Sequence, residues 1–485
     1  MSHQTIRVPF PPAVMLTLVL TILLLYAAYV LAPGFIEGPV MLIGALMMVV
    51  VAFSSIELTL CLLILSTLLS PELTFGGGTN SQLESGAVST TQSRGITLRL
   101  DDILLTLVCV TWMFRLAIFK ELGVVRRTPI NQPIALYWLA TLFATLIGMF
   151  EGRVGIYGIF FIVKYLEFFV LFYMVINHVH DQNAIKCYLV IMLITCVLAS
   201  LVGLAQIPSG RRVSAPFEGE LGEPNSFGGY LVLMFSVVLG MLLHVKKGKQ
   251  RALLLFPMAI ILAALAFTES RSSYLSFGVA IMFFMFLSKN KRLLFVGCLA
   301  GIVIVPVVLP QNVIDRVMFT FNQAHQSGQL AVGGMKIDTS TSERLKSWGN
   351  VLTIYFPERP LLGVGVTGGA FLDAQYPRVL LETGMIGLFL FLWFLQRVWV
   401  VLRQCYDEIK DPMINGASLG ATCGLAGLWV HGIGANTFMI VRIMEPFMIL
   451  IALLMGALFL ERERRAKESE QNSLQSDASQ QVLLR

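Results

Sequence analysis

Residues 185–207, IKCYLVIMLITCVLASLVGLAQI, and 225–245, NSFGGYLVLMFSVVLGMLLHV, flank the polar stretch 208–224, PSGRRVSAPFEGELGEP. Coiled as a helix, either apolar run is long enough to cross a hydrocarbon core about 30 Å thick. No water is available there to pair backbone groups, and a helix pairs them internally. The segment therefore reads as two crossings joined by a short loop, and the rest of the chain repeats that pattern. Of 485 residues, 56% are hydrophobic and 13% charged, and the mean hydropathy is +0.77. Soluble domains carry about 25% charged residues, so a soluble globular fold is excluded. The expected fold class is an all-α polytopic membrane protein.

Spans are predicted near 13–32, 37–54, 57–70, 101–119, 133–150, 157–178, 185–207, 225–245, 252–268, 273–288, 293–309, 377–402, 415–434 and 443–460. The third is short, and 37–70 reads equally as one broken hairpin, so about 12–14 helices are expected. Residues 1–460 then form a single integral-membrane domain, and 461–485 a polar tail expected to be disordered. No cleavable signal peptide is expected, because 13–32 is long for one and no small-residue cleavage site follows it. The seven cysteines fall in apolar segments or inner loops, which predicts neither disulfides nor a cysteine metal site. No metal and no other cofactor is expected.

Loop charge sets the orientation. Lys120–Arg127, Lys246–Arg251, Lys289–Arg292, Arg403–Lys410 and Arg462–Lys467 recur at alternate loops, which places them and both termini in the cytoplasm. These inner loops hold most of the lysines. The outer side carries only Lys336 and Lys346 beside Arg94, Arg99, Arg153, Arg211, Arg212, Arg271, Arg316, Arg344, Arg359, Arg378 and Arg442. The planar guanidinium fork matches phosphate oxygens and keeps its charge, whereas lysine is a hydrated point charge. An arginine-selective outer face points to phosphate or an anionic glycan. Nucleic acid is excluded as a partner, because the basic residues are scattered through loops and not gathered on one soluble domain.

Three outer clusters are candidates for chemistry. In 211–225, Arg211 and Arg212 lead to Asn225, a good helix cap whose exposed N–H groups can hold an anion. The plainer reading is a turn with Arg211 and Arg212 paired to Glu218, Glu220 or Glu223. In 268–273, TESRSS, a very short turn joins two apolar helices. Arg271 there is a candidate for binding a lipid-linked phosphate, or else Glu269 and Arg271 pair to tie the hairpin. The third cluster runs from Pro360 to Gly387 and contains Asp373, Gln375, Tyr376, Arg378 and Glu382. Asp373 can serve as a general base for a sugar hydroxyl or simply cap the helix that follows. The glycines at 363–369 follow no predicted strand, so a dinucleotide site is rejected.

The outer loop 310–376 is the main extramembrane element. Within it a helix is predicted from a Thr341 or Ser342 cap to about Phe356, lying at the membrane surface or packed over the bundle. Other residues read plainly. Asp101 and Asp102 open a helix, and Lys164 and Glu167 are spaced to pair with each other. His178, His180, His325 and His431 show no ligand set.

The order of these clusters resembles the bacterial O-antigen ligase and Wzy-type polysaccharide polymerase superfamily. The shared features are the arginine-to-Pro-Asn loop ending at Pro224-Asn225, the Thr268-x-Ser-Arg271 turn, and a late loop. That loop carries Arg344-Leu-Lys-Ser-Trp348, Pro360-Leu-Leu-Gly363-Val-Gly365 and Glu382-Thr-Gly-Met-Ile-Gly387. The resemblance covers about residues 200–445 and implies a GT-C-type, metal-independent glycosyltransferase of the inner membrane. Its implied substrates are undecaprenyl-pyrophosphate-linked glycans, with a chain-length regulator as an expected partner. It further implies that Arg212 and Arg271 stabilise the leaving pyrophosphate, with Arg211, Asn225, Arg344 and Arg442 as anchors and Asp373 or Glu269 as base. Family ligases typically carry a histidine in the late loop, where this chain has Asp373-Ala-Gln375-Tyr376, so a polymerase is favoured over a ligase. A flippase is the rival from another class, but no similarity between the two halves supports it.

Overall fold

The structure, a computed structural model, describes residues 56–70, 72–75, 96–99, several positions between 102 and 112, 126–218, 222–246, 248–292, 294–297, 299, 331–332, 335–336 and 339–483. Expected spans 13–32 and 37–54, most of 101–119 and 293–309, and Arg94, Arg316 and His325 lie outside the described residues. The chain falls into two compact units, residues 1–63 with 99–124 and residues 64–98 with 125–485. In the first, the Asp102 carboxylate accepts the Arg99 backbone N–H at 2.8 Å.

The described elements run α1 (Ile56–Leu69), β1 (Glu72–Phe75), β2 (Ile96–Arg99), α2 (Asn131–Phe150), α3 (Tyr157–His178), α4 (Gln182–Leu204), α5 (Pro224–His244), α6 (Gly248–Phe267) and α7 (Arg271–Leu287). They continue with β3 (Ala331–Val332), β4 (Met335–Lys336), α8 (Thr339–Asn350), α9 (Gln375–Glu408), α10 (Pro412–Gly434) and α11 (Val441–Leu483). Among the described residues the strands form two short ribbons, β1 with β2 and β3 with β4, and the other regular elements are helical. Among the described residues eight helices are long and apolar enough to span a membrane, with α1 and α7 shorter apolar helices beside them. This is a multi-pass membrane protein.

Helices α5 and α10 form the centre of the second unit, and α7, α9, α6 and α11 pack around them. Glycines make that contact close. A Cβ on Gly240 would lie 2.1 Å from the Gly416 carbonyl oxygen, and one on Gly420 would lie 2.3 Å from the Ser236 carbonyl oxygen. Gly416, Gly420 and Gly424 recur every fourth residue, the spacing that lets two helix backbones touch where lipid supplies no hydrophobic drive. Outward, Phe143, Val163, Phe256, Phe286 and Phe389 are exposed on α2, α3, α6, α7 and α9. So much apolar surface suits hydrocarbon and would drive association in water.

Three sequence expectations change. The tail is helical, since α11 continues through Leu483. Arg464 pairs with Glu461 at 2.8 Å and Glu468 at 3.7 Å, one turn away on either side, and the intervening residues are mostly good helix formers. The helix in the late loop begins at Thr339, two residues before the expected cap at Thr341. It passes into a π turn at Val351–Tyr355 and a final turn at Phe356–Glu358. Asn225 is not the cap of α5 either. Pro224 occupies the first turn, where a missing N–H costs nothing, and Glu223 holds the cap position without a side-chain cap bond.

Candidate functional site

The polar end of the bundle is organised by the turn between α6 and α7. Ser270 occupies the cap position of α7, its Oγ accepting the Ser273 N–H at 3.4 Å, and Arg271 is the first helical residue. Glu269 has φ +49°, the left-handed region that costs a side-chain-bearing residue about 1–2 kcal/mol. Arg212 holds the turn in that shape. Its Nε donates to the Thr268 carbonyl at 3.0 Å and its Nη2 to the Glu269 carbonyl at 3.1 Å. Bonds from a charged donor contribute about 1.5–3 kcal/mol each, enough to offset the strain. The Val213 N–H adds a bond to the Phe267 carbonyl at 3.0 Å. Two arginines thus meet on one rigid turn, at a helix start where the backbone dipole favours anions.

Behind this turn lies a buried chain of hydroxyls ending on an imidazole. Ser270 Oγ donates to Asn225 Oδ1 at 2.8 Å, and Ser273 Oγ donates to Ser270 Oγ at 2.8 Å. Ser273 Oγ also contacts His431 Nε2 at 3.3 Å, and His431 Nδ1 lies 2.8 Å from Thr437 Oγ1. Ser270, Ser273, His431 and Thr437 are all buried. Two glycines of α5 make the room. A Cβ on Gly228 would come within 2.2 Å of Ser273 Oγ, and one on Gly229 within 2.9 Å of His431 Cε1.

The start of α9 completes this end. Gln375 is wholly buried, and its Oε1 accepts the N–H groups of Thr437 at 3.0 Å and Phe438 at 2.8 Å. Tyr376 donates its hydroxyl to the Trp429 carbonyl at 2.7 Å, fixing α9 to α10. Asp373 does not cap α9, whose cap position is Ala374 without a side-chain bond. Its carboxylate pairs with Arg344 of α8 at 3.3 Å and is about half exposed. Arg378 pairs with Glu382 one turn along, at 3.0 Å, both buried.

The two glycine-rich motifs of the late loop meet in a backbone joint. Gly384 has φ +65° and ψ −164°, which breaks α9. The groups this would strand find partners in the loop. Val364 and Gly365 donate to the Leu381 and Glu382 carbonyls at 2.9 and 3.0 Å, and Met385 and Ile386 donate to Pro360 and Leu361 at 2.8 and 3.2 Å. Irregular backbone within a membrane-spanning helix is tolerated only when it is satisfied in this way.

Residues 256–392 match the family described as O-antigen ligase, Wzy_C. That segment carries a Wzy_C domain. No curated protein matches the chain. The domain takes in the second half of α6, the 268–271 turn, α7, α8, the Arg344–Asp373 pair and the joint between 360–365 and 381–386. The chain is therefore a membrane protein with a domain of the O-antigen ligase/polymerase type. Arg212, Asn225 and His431 fall outside the matched Wzy_C residues and are joined to them by hydrogen bonds to Thr268, Glu269, Ser270 and Ser273, whereas Arg442, also outside, bonds to the 211–225 loop.

Most of the sequence candidates converge here, in altered roles. Arg212 and Glu269 share the turn with Arg271, and Asn225 receives Ser270. Among the described residues no ion pair joins Glu269 to Arg271. Arg211 is exposed at the edge. Of the partners expected for Arg211 and Arg212, Glu218, Glu220 or Glu223, Glu220 lies outside the described residues. Glu218 faces Arg442 at 3.5 Å, and Arg442 also donates to the Pro216 carbonyl at 2.6 Å, so Arg442 is a buried strut for the 211–225 loop. Arg378 and Glu382 are a structural pair, with Tyr137 and Tyr165 in electrostatic reach. Lys164 and Glu167 pair at 3.6 Å as their spacing predicts. His431 and Thr437 were missed, because a lone histidine near a helix end has no local pattern to mark it. The one available signal was Gly228-Gly229, space left in an apolar helix for something to approach.

Proposed function

We propose that this chain is a glycosyltransferase of the outer leaflet that polymerises undecaprenyl-pyrophosphate-linked oligosaccharide repeat units. The observation that carries this reading is Arg212 locked onto the carbonyls of the turn that presents Arg271, inside the Wzy_C region. An acceptor sugar hydroxyl attacks the anomeric carbon of the growing chain, and the bond from that carbon to the pyrophosphate oxygen breaks. The electron pair leaves with the lipid pyrophosphate, and the hydroxyl proton passes to a carboxylate. Guanidinium groups fixed in advance stabilise the charge that develops on the leaving oxygens without reorganising.

Glu269 is the better candidate for the base. Strained backbone is retained where function needs it, and its half-buried carboxylate has no ion-pair partner among the described residues. Asp373 is held by Arg344 and suits binding of the acceptor sugar. Polymerase is favoured over ligase because Asp373-Ala-Gln375-Tyr376 occupies the region where family ligases resembling this chain carry a histidine.

The test is deletion of the gene in its host, followed by analysis of lipid-linked and surface glycans. Single repeat units with no long chains support the polymerase. Long chains stranded on the lipid carrier would indicate a ligase. Repeat units confined to the inner leaflet would indicate a flippase and overturn glycosyl transfer.

A further inference from the structure

We infer that His431 is a positioning residue that sets the Thr268–Arg271 turn for binding pyrophosphate, an inference that rests on the glycosyl-transfer reading above. Counting protons gives the network a direction. The Asn225 side-chain oxygen can only accept, so Ser270 spends its one hydroxyl proton there. Ser273 then gives its proton to Ser270 and must accept from His431 Nε2. His431 is accordingly the Nε2–H tautomer, and its Nδ1 accepts from Thr437, whose Oγ1 is nearer to it at 2.8 Å than to the Ala435 carbonyl at 3.2 Å. Thr437 is anchored in turn through its own N–H to Gln375 Oε1 at 3.0 Å.

The imidazole is thus a neutral, buried spacer of fixed length. On one side it sets the two serines that frame Arg271, and on the other it is referred to the start of α9. Stability alone does not call for it. Replacing a buried polar network by apolar groups of the same shape is often neutral or stabilising. What the network supplies is direction, because each hydroxyl has a single proton and the shortest contacts, Ser270 to Asn225, Ser273 to Ser270 and Thr437 to His431, run in one sequence. The arrangement also depends on the absence of a side chain at Gly229, where a Cβ would meet the ring Cε1 at 2.9 Å.

The experiment uses the full-length protein in detergent, with two readouts. One is turnover of lipid-linked repeat units extracted from the deletion host. The other is the rise in melting temperature on adding inorganic pyrophosphate, since a ligand that binds the folded state stabilises it. His431→Ala is expected to lower kcat between about ten- and a hundredfold with little change in KM, as misplacement by an ångström can do. His431→Gln, which keeps an N–H donor at similar reach, should recover part of the loss. Gly229→Ala should reproduce it by displacing the ring, and also serves if His431→Ala does not fold. In an Arg271→Ala background, His431→Ala should cost little more, because both act through one turn.

The pyrophosphate stabilisation should vanish in Arg271→Ala and require about ten times more pyrophosphate in His431→Ala. Wild-type kinetics and pyrophosphate response in His431→Ala would overturn the inference. So would losses that simply multiply with those of Arg271→Ala, or a wild-type protein that pyrophosphate does not stabilise. If the wild type stabilises in a His431-dependent way yet builds no polymer, the positioning role stands and the polymerase reading falls.

Discussion

Arg212 and Thr268 are 56 residues apart in sequence, and the Arg212 Nε donates to the Thr268 carbonyl oxygen at 3.0 Å. With the second bond to Glu269, the guanidinium lies across the end of α6 as a two-pronged clamp. Lysine cannot copy this, because an ammonium is a point donor on a flexible stem. Arg212→Lys should therefore behave nearly as badly as Arg212→Ala, each lowering kcat by about a hundredfold or more. Assay of both variants on lipid-linked repeat units checks this, and full activity in Arg212→Lys would rule out the clamp.

Glu269 separates strain from chemistry. Glu269→Gly should raise the melting temperature, because glycine adopts φ +49° without the roughly 1–2 kcal/mol cost borne by glutamate. Both Glu269→Gly and Glu269→Gln should lose about a hundredfold or more in turnover if the carboxylate takes the acceptor proton. Full turnover in Glu269→Gln would exclude it as the base.

At Gly384, φ is +65° and a Cβ would lie 2.3 Å from the Leu361 carbonyl oxygen. Gly384→Ala should destabilise by at least about 1–3 kcal/mol and disrupt the backbone joint with 360–365. Gly278 of α7 has open space around it. Gly278→Ala is the matched control and should leave the melting temperature unchanged or slightly raised.

The buried Arg378–Glu382 pair should be costly to halve and cheap to replace. Arg378→Ala leaves a buried carboxylate without its partner, at a cost of about 3–5 kcal/mol. The double variant Arg378→Met, Glu382→Leu should recover most of that stability. Denaturant unfolding of the single and double variants in detergent distinguishes them, and equal losses would show that each residue acts separately.

Arg344 and Asp373 form a partly exposed pair, with 24% and 49% of their side-chain surface accessible. Such pairs contribute about 0–1 kcal/mol, so Asp373→Asn should barely change stability. A rise in KM for the acceptor with an unchanged melting temperature would mark Asp373 as a sugar contact. Unchanged kinetics would remove it from the site.

How much was legible depended on how local the cause was. The membrane helices could be read because burial in hydrocarbon imposes long apolar runs, which composition records directly. The 268–271 turn could be read for the opposite reason: charged residues that close to the bilayer are expensive and conspicuous. The joint between Pro360–Gly365 and Glu382–Gly387 was visible only as two glycine-rich strings. Their purpose, repairing a break in α9, depends on hydrogen bonds between distant segments. The helical tail was misread because a polar segment gives no core-burial signal, while its ion pairs with neighbouring turns suffice to extend a helix already begun in the membrane.

The sequence by itself determined that this chain crosses a membrane many times and singled out its arginines as costly residues, because solvation is something each residue meets on its own. Tertiary structure alone decided what those arginines and their neighbours do. It made Arg442 a buried strut against Glu218, turned Arg212 onto the Thr268 turn, and joined Asn225 to Gln375 through Ser270, Ser273, His431 and Thr437. Hydrogen bonds have direction and a reach of about 3 Å, so their partners are chosen by where the packed helices place them and not by proximity along the chain.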